Sequence, residues 1–342
     1  MKITVRSPNW VGDAILSTPA LTALRKKYPG AHISLFARKT VADCFLNNPA
    51  INEIISLPGK NNLSYWLRAF DLRKRKYDKA ILFPNSFSSA LFFRIAGIKE
   101  IIGYGKDGRG FLLTKTLKPL LKGHQADYYL NLINDSAEST ELVWVATQKE
   151  KEDARKLLEG NGIQRKDRLV GISPGAAFGP AKKWHPEKFA QVGDRLVEKH
   201  SAKILLFGRD TEESITAEIT RYMKNRSINL AGRTNLRQLG TLLSMCKLLI
   251  TNDSGAMHIA AAVKTPVVGI FGSTDPAKTG PRGKCHTVIY NKLSCSPCFS
   301  TTCPYGHYKC LREINVMDVL LAADKQLTAQ EHQEVCETPK GA

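Results

Sequence analysis

Residues 251–258, Thr-Asn-Asp-Ser-Gly-Ala-Met-His, have the composition of an anion site. An apolar run ends here, small polar residues turn the chain, and a helix is predicted to begin. The free N–H groups at the start of such a helix attract negative charge, and Ser254 and Gly255 leave room for a pyrophosphate. His258 follows about one turn later, on the side of Ser254. A structural histidine also fits this position, but its closeness to the anion site favours a functional one.

A second candidate lies in the loop 6–13, Arg-Ser-Pro-Asn-Trp-Val-Gly-Asp, which follows a predicted strand. Asp13 stands where that strand gives way to a helix. One interpretation is an N-cap, in which the carboxylate accepts amide hydrogen bonds and suits the helix dipole. The other is a general base that takes a proton from a substrate hydroxyl. The sequence leaves both interpretations open.

Two further loops carry charge next to glycine. In the loop 173–184, glycines allow the backbone to approach a ligand closely, and Lys182 and Lys183 can neutralise phosphate. The alternative is an exposed loop with solvated lysines. In the loop 207–213, Glu212 follows a strand and is placed either to bind ribose hydroxyls or to begin a helix.

The segment 103–108, Gly-Tyr-Gly-Lys-Asp-Gly, matches the spacing of a dinucleotide fingerprint. That fingerprint needs a helix directly afterwards, whereas residues 109–117 alternate like a loop or strand. We therefore reject an NAD site. A basic glycine loop that contacts an anionic acceptor through Lys106 and Arg109 remains open.

Four cysteines, Cys295, Cys298, Cys303 and Cys310, crowd into one segment around His307. Thiolate and imidazole groups are zinc ligands, and the spacing resembles a zinc knuckle only loosely. The alternative is a compact loop of reduced thiols. The sequence does not decide between them.

The elements that position these loops follow a repeating pattern. Apolar strands alternate with helices, which indicates parallel sheets covered on both faces. Strands are predicted at 2–5, 33–36, 79–83, 169–172, 203–207, 248–251 and 266–271, and helices at 186–200 and 257–263. Pro19 should kink the first helix or lie near a first turn. Because the composition becomes polar at 148–168 and the pattern then restarts, we predict domains at 1–160 and 161–328, and a polar tail at 329–342.

The charge of the chain is unusual. Its 342 residues contain 50 Lys and Arg against 31 Asp and Glu, a net charge of +19. A hydrophobic content of 43% excludes general disorder, and no apolar run approaches the ~20 residues of a membrane span. Without a signal-peptide core at the start, we expect a cytoplasmic location. The charge favours nucleic acid, an acidic lipid leaflet or phosphorylated substrates. Candidates for a basic surface are Arg68, Arg73, Lys74, Arg75 and Lys76.

Taken together, four segments of the chain resemble the ADP-heptose:lipopolysaccharide heptosyltransferases of glycosyltransferase family 9. The matching segments are 8–13, 82–87, 174–184 and 251–258, and the resemblance runs over residues 1–321. It implies an α/β chain with the GT-B fold, in which two Rossmann-like α/β/α domains face each other across a cleft. The N-terminal domain would bind the acceptor, and the C-terminal domain would bind ADP-heptose.

The resemblance also implies an activity and roles. Transfer would be inverting and independent of metal or cofactor, from ADP-L-glycero-D-manno-heptose to the first heptose of the inner core, which is attached to Kdo and lipid A. Asp13 resembles the catalytic base, Lys182 the lysine that holds donor phosphate, and Glu212 the acid on the ribose. Asp253, Ser254, Gly255 and His258 resemble the donor loop, with Asp253 near the heptose. The acceptor side is expected to use Asn9, Trp10, Asn85, Ser86, Lys106 and Arg109.

Two alternatives stay open. One is a family member with a different acceptor or sugar. The other is a basic nucleic-acid-binding protein, although the usual signatures of that class are absent from the sequence. For the transferase, the acceptor is anchored in an anionic leaflet, so the positive charge is expected to hold the enzyme at the inner membrane surface, with no nucleic acid as partner.

Overall fold

A computed structural model describes residues 1–59, 63–120, 123–133 and 141–337 of the chain. The chain divides into two compact units, Met1–Val145 and Ala146–Ala342. Each unit is built on one six-stranded sheet in which all strand pairs are parallel. The predicted α/β class with two similar halves is confirmed.

The two sheets have the same strand order. In the first unit the order is β3-β2-β1-β4-β5-β6, and in the second it is β12-β11-β10-β7-β8-β9, which is the same order read from the other edge. Both are the Rossmann order 3-2-1-4-5-6. The strands are β1 Lys2–Arg6, β2 His32–Arg38, β3 Glu53–Leu57, β4 Lys79–Leu82, β5 Glu100–Tyr104, β6 Lys115–Leu117, β7 Leu169–Ser173, β8 Lys203–Leu206, β9 Ser227–Asn229, β10 Leu248–Asn252, β11 Val267–Phe271 and β12 His286–Tyr290.

Helices connect the strands in both units. They are α1 Val11–Leu16, α2 Thr18–Lys27, α3 Lys39–Ala42, α4 Leu63–Arg73, α5 Phe87–Ile95, α6 Gln125–Asn131, α7 Gln148–Gly160, α8 Pro186–His200, α9 Glu213–Tyr222, α10 Leu236–Leu243, α11 Gly255–Ala262, α12 Pro276–Thr279, α13 Lys309–Arg312 and α14 Val316–Glu337. Pro19 lies in the first turn of α2, where its missing N–H costs no hydrogen bond. In the described residues, no helix is long and apolar enough to cross a bilayer.

The central strands are apolar because they are covered on both faces. Every residue of β7, β10 and β11 is buried, so side chains that point to either face of the sheet lie in a core. On one face Trp184 and Phe189 pack edge to face, with ring centroids 5.0 Å apart, against Ile172 and Ile250. This packing fixes both ends of the loop that carries Lys182.

The strand order places the predicted loops at one point in each sheet. In the first unit β1 pairs with β4, and in the second β7 pairs with β10. At these positions the connections leave in opposite directions, which opens a crevice at the carboxyl ends of the two strands. The loops after β1 and β4 carry Asp13 and Asn85, and the loops after β7 and β10 carry Lys182 and Asp253. The fold therefore brings the sequence-predicted loops together in pairs.

The division between the units falls after Val145, before the predicted boundary at 160/161. The reason is that α7 packs on α10 and belongs to the second unit. The guanidinium of Arg237 on α10 donates two hydrogen bonds of 2.8 Å to the carboxylate of Glu150 on α7. At the other end of the chain, α14 continues to Glu337, so the tail predicted from 329 begins inside a helix. The remainder of that predicted tail, 338–342, lies outside the described residues.

Candidate active site

The centre of the second unit is an ion pair between two predicted site residues. The ammonium of Lys182 lies 2.5 Å from Oδ2 of Asp253, and both side chains are almost buried, 12% and 5% exposed. The hydroxyl of Thr274 donates to the same oxygen at 2.6 Å. The ammonium also lies 4.8 Å from the centre of the Phe178 ring. Lys182 is thus held at the crevice by one carboxylate and one aromatic ring.

The loop that carries Lys182 is held at both ends by one buried amide. Asn252, the last residue of β10, donates from Nδ2 to the carbonyl of Pro174 at 2.6 Å. Its Oδ1 accepts from the backbone N–H of Trp184 at 3.1 Å. Because Asn252 is fully buried, these two bonds lack competition from water. The residue next to Asp253 therefore also fixes the loop that presents its partner Lys182.

The cysteine-rich segment braces the same loop through backbone hydrogen bonds. Ala181 N–H donates to the carbonyl of Thr301 at 3.0 Å, and Ser273 N–H donates to the carbonyl of Ala181 at 3.3 Å. Phe299 N–H in turn donates to Ser273 O at 2.7 Å. A Cβ on Gly179 would meet Thr301 O at 2.4 Å, so glycine is needed for this close approach. The cysteine-rich segment therefore holds two loops in place, the loop 173–184 that carries Lys182 and the loop after β11 that carries Thr274.

The predicted anion site at α11 has the expected geometry. Ser254 precedes the helix with extended backbone angles, and its side chain does not cap the helix but lies 3.1 Å from the Thr251 hydroxyl. The N–H groups of the first turn, beginning at Gly255, have no partner within the helix. His258 follows in this helix and is 4% exposed. Ser254, Gly255 and His258 thus lie in sequence beside Asp253, at the positive end of the helix dipole.

Glu212 follows the end of β8 and contacts the loop 173–184, which carries Lys182. Its carboxylate accepts from the backbone N–H and the guanidinium of Arg209, both at 3.0 Å. A Cβ on Gly175 would lie 2.3 Å from the Glu212 carboxyl carbon, so the carboxylate packs directly on the loop after β7. The structure thus brings Glu212 to the loop that carries Lys182, and its role on the donor stays a prediction.

In the first unit, Asp13 is the third residue of α1 and not its N-cap. The N-cap is Trp10, which has no capping side chain, so the N-cap interpretation of Asp13 is wrong. Instead Oδ1 of Asp13 accepts a hydrogen bond of 3.0 Å from the hydroxyl of Tyr129 on α6. Burial and the negative charge of Asp13 raise the pKa of Tyr129 well above its ordinary value. Tyr129 therefore stays a hydrogen-bond donor to Asp13.

The loop after β4 is part of a polar network. Asn85 Nδ2 donates to the hydroxyl of Tyr128 at 2.8 Å, and Ser86 Oγ lies 2.7 Å from Ser89 Oγ. Both Asn85 and Ser86 are half-buried near the carboxyl end of β1, in agreement with their predicted place. Asn9 accepts from Arg6 at 2.7 Å, and Trp10 is 63% exposed.

Arg109 differs from its prediction. Its side chain is fully buried, and its guanidinium donates to the carbonyl oxygens of Tyr104 at 3.0 Å and of Pro84. Burial lowers the pKa of Arg109 to about 10. The residue joins the loops after β4 and β5 and does not offer its charge to an acceptor. Lys106 by contrast is exposed, with its ammonium 5.5 Å from the centre of the Tyr128 ring.

The prediction that no helix directly follows 103–108 is confirmed. The segment is followed by a single 3-10 turn at Gly110–Leu112 and then by β6, so there is no helix to receive a pyrophosphate. The structure also bears on the cysteines. Cys303 Sγ lies 4.0 Å from His307 Nδ1, but within the described ranges no three His, Cys, Asp or Glu side chains are placed to hold a metal ion. Among the described residues, the four cysteines form no disulfide.

The sequence analysis gave no role to three residues of the site, Thr274, Asn252 and Tyr129. Asn252 ends β10, and Thr274 follows the end of β11. Because ligands bind at the carboxyl ends of such strands, the sequence carries a signal for both residues. Tyr129 lies in α6, 116 residues from Asp13, and no local pattern marks it. Only the packing of α6 on α1 brings these two side chains together.

The chain is similar to known proteins in sequence and in fold. The profile of "Glycosyltransferase family 9 (heptosyltransferase)" matches residues 68–309. Lipooligosaccharide heptosyltransferase 2 of Campylobacter jejuni is 30% identical over 341 residues, which cover 97% of this chain and 100% of that protein.

Two solved structures are similar over almost their whole length. The ADP-heptose LPS heptosyltransferase II of Escherichia coli superposes with a TM-score of 0.83 at 28% identity, covering 97% of this chain and 100% of that one. A family 9 glycosyl transferase of Veillonella parvula superposes with a TM-score of 0.88 at 26% identity, covering 96% and 97%. The predicted GT-B fold class is confirmed by these matches.

Proposed function

The chain belongs to glycosyltransferase family 9, and from this premise we propose that it is a heptosyltransferase II. It transfers L-glycero-D-manno-heptose from ADP-heptose to the first heptose of the lipopolysaccharide inner core. The observation that carries the proposal is the buried pair of Lys182 and Asp253 next to the N-terminus of α11. A cation and free backbone N–H groups at one crevice suit the pyrophosphate of a nucleotide sugar.

The second unit binds the donor and stabilises the leaving group. When the bond between the anomeric carbon and the phosphate oxygen breaks, its electron pair goes to ADP, whose pyrophosphate gains charge. Lys182 and the first N–H groups of α11 stabilise that charge. Asp253 holds Lys182 in the free enzyme, and Glu212 accepts hydrogen bonds from the ribose hydroxyls. Because the chain itself supplies this positive charge, transfer is expected to proceed without a metal ion.

The first unit supplies the base. The carboxylate of Asp13 takes the proton of the acceptor hydroxyl while that oxygen attacks the anomeric carbon from the face opposite ADP. The configuration at this carbon is thereby inverted. The hydrogen bond from Tyr129 holds the carboxylate of Asp13 in one orientation before the acceptor arrives.

Metal independence is tested by assaying transfer in EDTA and in added Mg²⁺ or Mn²⁺. We expect equal rates in all three conditions. A strict requirement for either ion would contradict the proposed role of Lys182 and α11 and would favour a different transferase class. A panel of defined core acceptors separates heptosyltransferase II from members of the family that use another acceptor.

We also propose that the enzyme works at the cytoplasmic surface of the inner membrane, with α4 as its contact. Leu63, Leu67 and Phe70 lie on one face of this helix and are 72%, 54% and 51% exposed. Such a stripe of large apolar side chains is costly in water and inserts readily at the boundary of head groups and acyl chains. Arg68 and Lys74 flank it with positive charge.

The basic run after α4 is less uniform than its sequence indicates. Arg75 is paired with the carboxylate of Glu53 at 2.8 Å, so its charge is compensated. Arg73 donates to the carbonyl of Ile95 at 2.7 Å and also lies over the Phe70 ring at 5.3 Å. We therefore assign the electrostatic attraction mainly to Arg68, Lys74 and Lys76.

Co-sedimentation with vesicles tests this surface. The wild type should bind phosphatidylglycerol vesicles, bind phosphatidylcholine vesicles weakly, and dissociate at raised salt. Leu67→Gln with Phe70→Gln should weaken binding, whereas Leu321→Gln, which removes an apolar side chain that is 63% exposed in the other unit, should not. Tight binding of DNA without preference for acidic vesicles would contradict the proposal.

A further inference from the structure

A polar cavity of about 80 Å³ lies near the carboxyl ends of β1, β2 and β4, in the same unit as Asp13. It is larger than a single water molecule requires. Its polar lining comes from Arg6, Asn9, Arg38, Tyr65, Ser86, Ser88 and Ser89. Every one of these side chains can donate a hydrogen bond, and none of the described residues that line the cavity carries a carboxylate. This composition suits an anion.

The two arginines carry charge that the described residues do not compensate. Arg6 is 3% exposed, and its guanidinium donates to the neutral oxygens of Ser7, Phe36 and Asn9. Its Nε is buried and has no hydrogen-bond partner among the residues that the structure describes. In the described part of the chain, neither Arg6 nor Arg38 forms an ion pair. A buried cation without a counterion is unfavourable unless a ligand supplies the negative charge.

The neighbouring groups complete the site. Arg6 binds Oδ1 of Asn9, which leaves the Nδ2 hydrogens of Asn9 for another acceptor. Ser86 precedes the nine-residue helix α5 and does not cap it through its side chain, so the first N–H groups of α5 add positive potential. Burial lowers the pKa of Arg6 to about 10, and the nearby charge of Arg38 acts in the same direction. A bound anion would stabilise the charged guanidinium and so offset both the burial and the repulsion by Arg38.

We propose that this cavity binds an anionic oxygen group of the acceptor, a carboxylate or a phosphate, through Arg6 and Arg38. Asn9 lies in the loop that leads to Asp13, so an anion bound here positions the acceptor sugar relative to the base. The proposal rests on the proposed function and adds to it a specific recognition site for the acceptor. An inner-core acceptor carries both chemistries, as the carboxylates of Kdo and the phosphates of lipid A.

The test compares Arg38→Gln with Arg94→Gln, which removes the same charge from an exposed position of α5 in the same unit. Arg38→Gln should raise the KM for acceptor by roughly ten- to a hundred-fold, as expected for loss of a charge-assisted hydrogen bond. The KM for ADP-heptose should be unchanged, and Arg94→Gln should behave as the wild type. Equal acceptor KM values in the two variants would overturn the proposal.

Two further arms identify the anion. If the carboxylate is bound, an acceptor with its carboxylates reduced to alcohols should show a raised KM with the wild type and no further rise with Arg38→Gln. If a phosphate is bound, the dephosphorylated acceptor should instead show a raised KM with the wild type and no further rise with Arg38→Gln. An additional effect of Arg38→Gln on both modified acceptors would contradict the proposal.

A binding measurement separates this inference from the proposed function. Inorganic phosphate is titrated calorimetrically into each protein with the donor site saturated by ADP. The wild type and Arg94→Gln should bind phosphate, and Arg38→Gln should not. If this pattern holds while the wild type transfers no heptose, the cavity is confirmed and the proposed function fails. If heptose is transferred but Arg38→Gln binds phosphate normally, only the present inference fails.

Discussion

The hydroxyl of Tyr129 donates a hydrogen bond of 3.0 Å to Oδ1 of Asp13, across 116 residues of chain. Tyr129 is buried, and its raised pKa keeps the proton on the phenol throughout the range in which enzymes are assayed. A fixed donor holds the carboxylate that accepts from it in one position. The pair therefore gives Asp13 one orientation, which a general base needs.

Replacing this donor should slow the transfer. In Tyr129→Phe the carboxylate of Asp13 loses the hydrogen bond that orients it. The kcat should therefore fall by roughly ten-fold, while the KM for ADP-heptose stays unchanged. Tyr128→Phe is the matched control, because Tyr128 binds Asn85 instead.

Asp13 itself should be needed for the chemical step. Asp13→Asn should lower kcat by about 10²–10⁴, because an amide does not take the proton of the acceptor hydroxyl. Near-normal turnover of Asp13→Asn, or an unchanged kcat of Tyr129→Phe, would contradict the assignment.

Lys182 should be needed for donor binding in a way that its neighbour is not. Lys182→Ala removes a charge-assisted contact to phosphate and should weaken ADP binding by roughly ten-fold or more. Lys183→Ala, which removes the same charge from the next position, should leave ADP affinity nearly unchanged. Calorimetric titration of ADP measures both.

Loss of Lys182 also leaves Asp253 buried without its cation, which costs about 3–5 kcal/mol of stability. Lys182→Met combined with Asp253→Asn should recover much of that stability without recovering ADP binding. If the double variant binds ADP as the wild type does, the ion pair has a structural role only.

The backbone hydrogen bonds between the cysteine-rich segment and the loop that carries Lys182, called the brace here, predict that one added methyl group at Gly179 weakens ADP binding. In Gly179→Ala the new Cβ meets Thr301 O, so the loop or the segment has to move. ADP affinity should fall, measured at a temperature where the variant is fully folded. Gly162→Ala places the same methyl at a positive φ of 80° in open space, so it adds backbone strain without a clash. Equal ADP affinities of the two variants would exclude the brace as a positioning device.

The contact between α7 and α10 should make stability depend on pH. The hydrogen bonds from Arg237 lower the pKa of Glu150 to about 2, from an ordinary value of 4.5. Because the pKa is lowered in the folded state, this stabilisation is present above about pH 4.5 and is lost as the pH falls to about 2. The melting temperature of Glu150→Gln should lie below that of the wild type at pH 7, and the gap should close between pH 4.5 and 2. Glu152→Gln, at an exposed position of the same helix, should show no such gap.

Much of the fold can be predicted from local sequence patterns. The apolar runs that become β7, β10 and β11, and the helix α8 that spans its predicted residues 186–200, are set by patterns within a few residues. The loops of the site were predicted because they follow such strands. The buried position of Arg109 was not, because it depends on carbonyl groups from two loops that meet only in the folded sheet. Tyr129 and the compensated charge of Arg75 depend in the same way on contacts distant in sequence.

The central claim is that this chain transfers heptose from ADP-heptose to an inner-core heptose. The direct measurement incubates the purified protein with ADP-L-glycero-D-manno-heptose and a defined acceptor that carries one inner-core heptose, and determines product mass, linkage and anomeric configuration. The account predicts a product heavier by one heptose residue, joined to that first heptose with inversion at the anomeric carbon, and release of one ADP. Release of ADP without a glycosylated product, or heptose attached directly to Kdo, would contradict it.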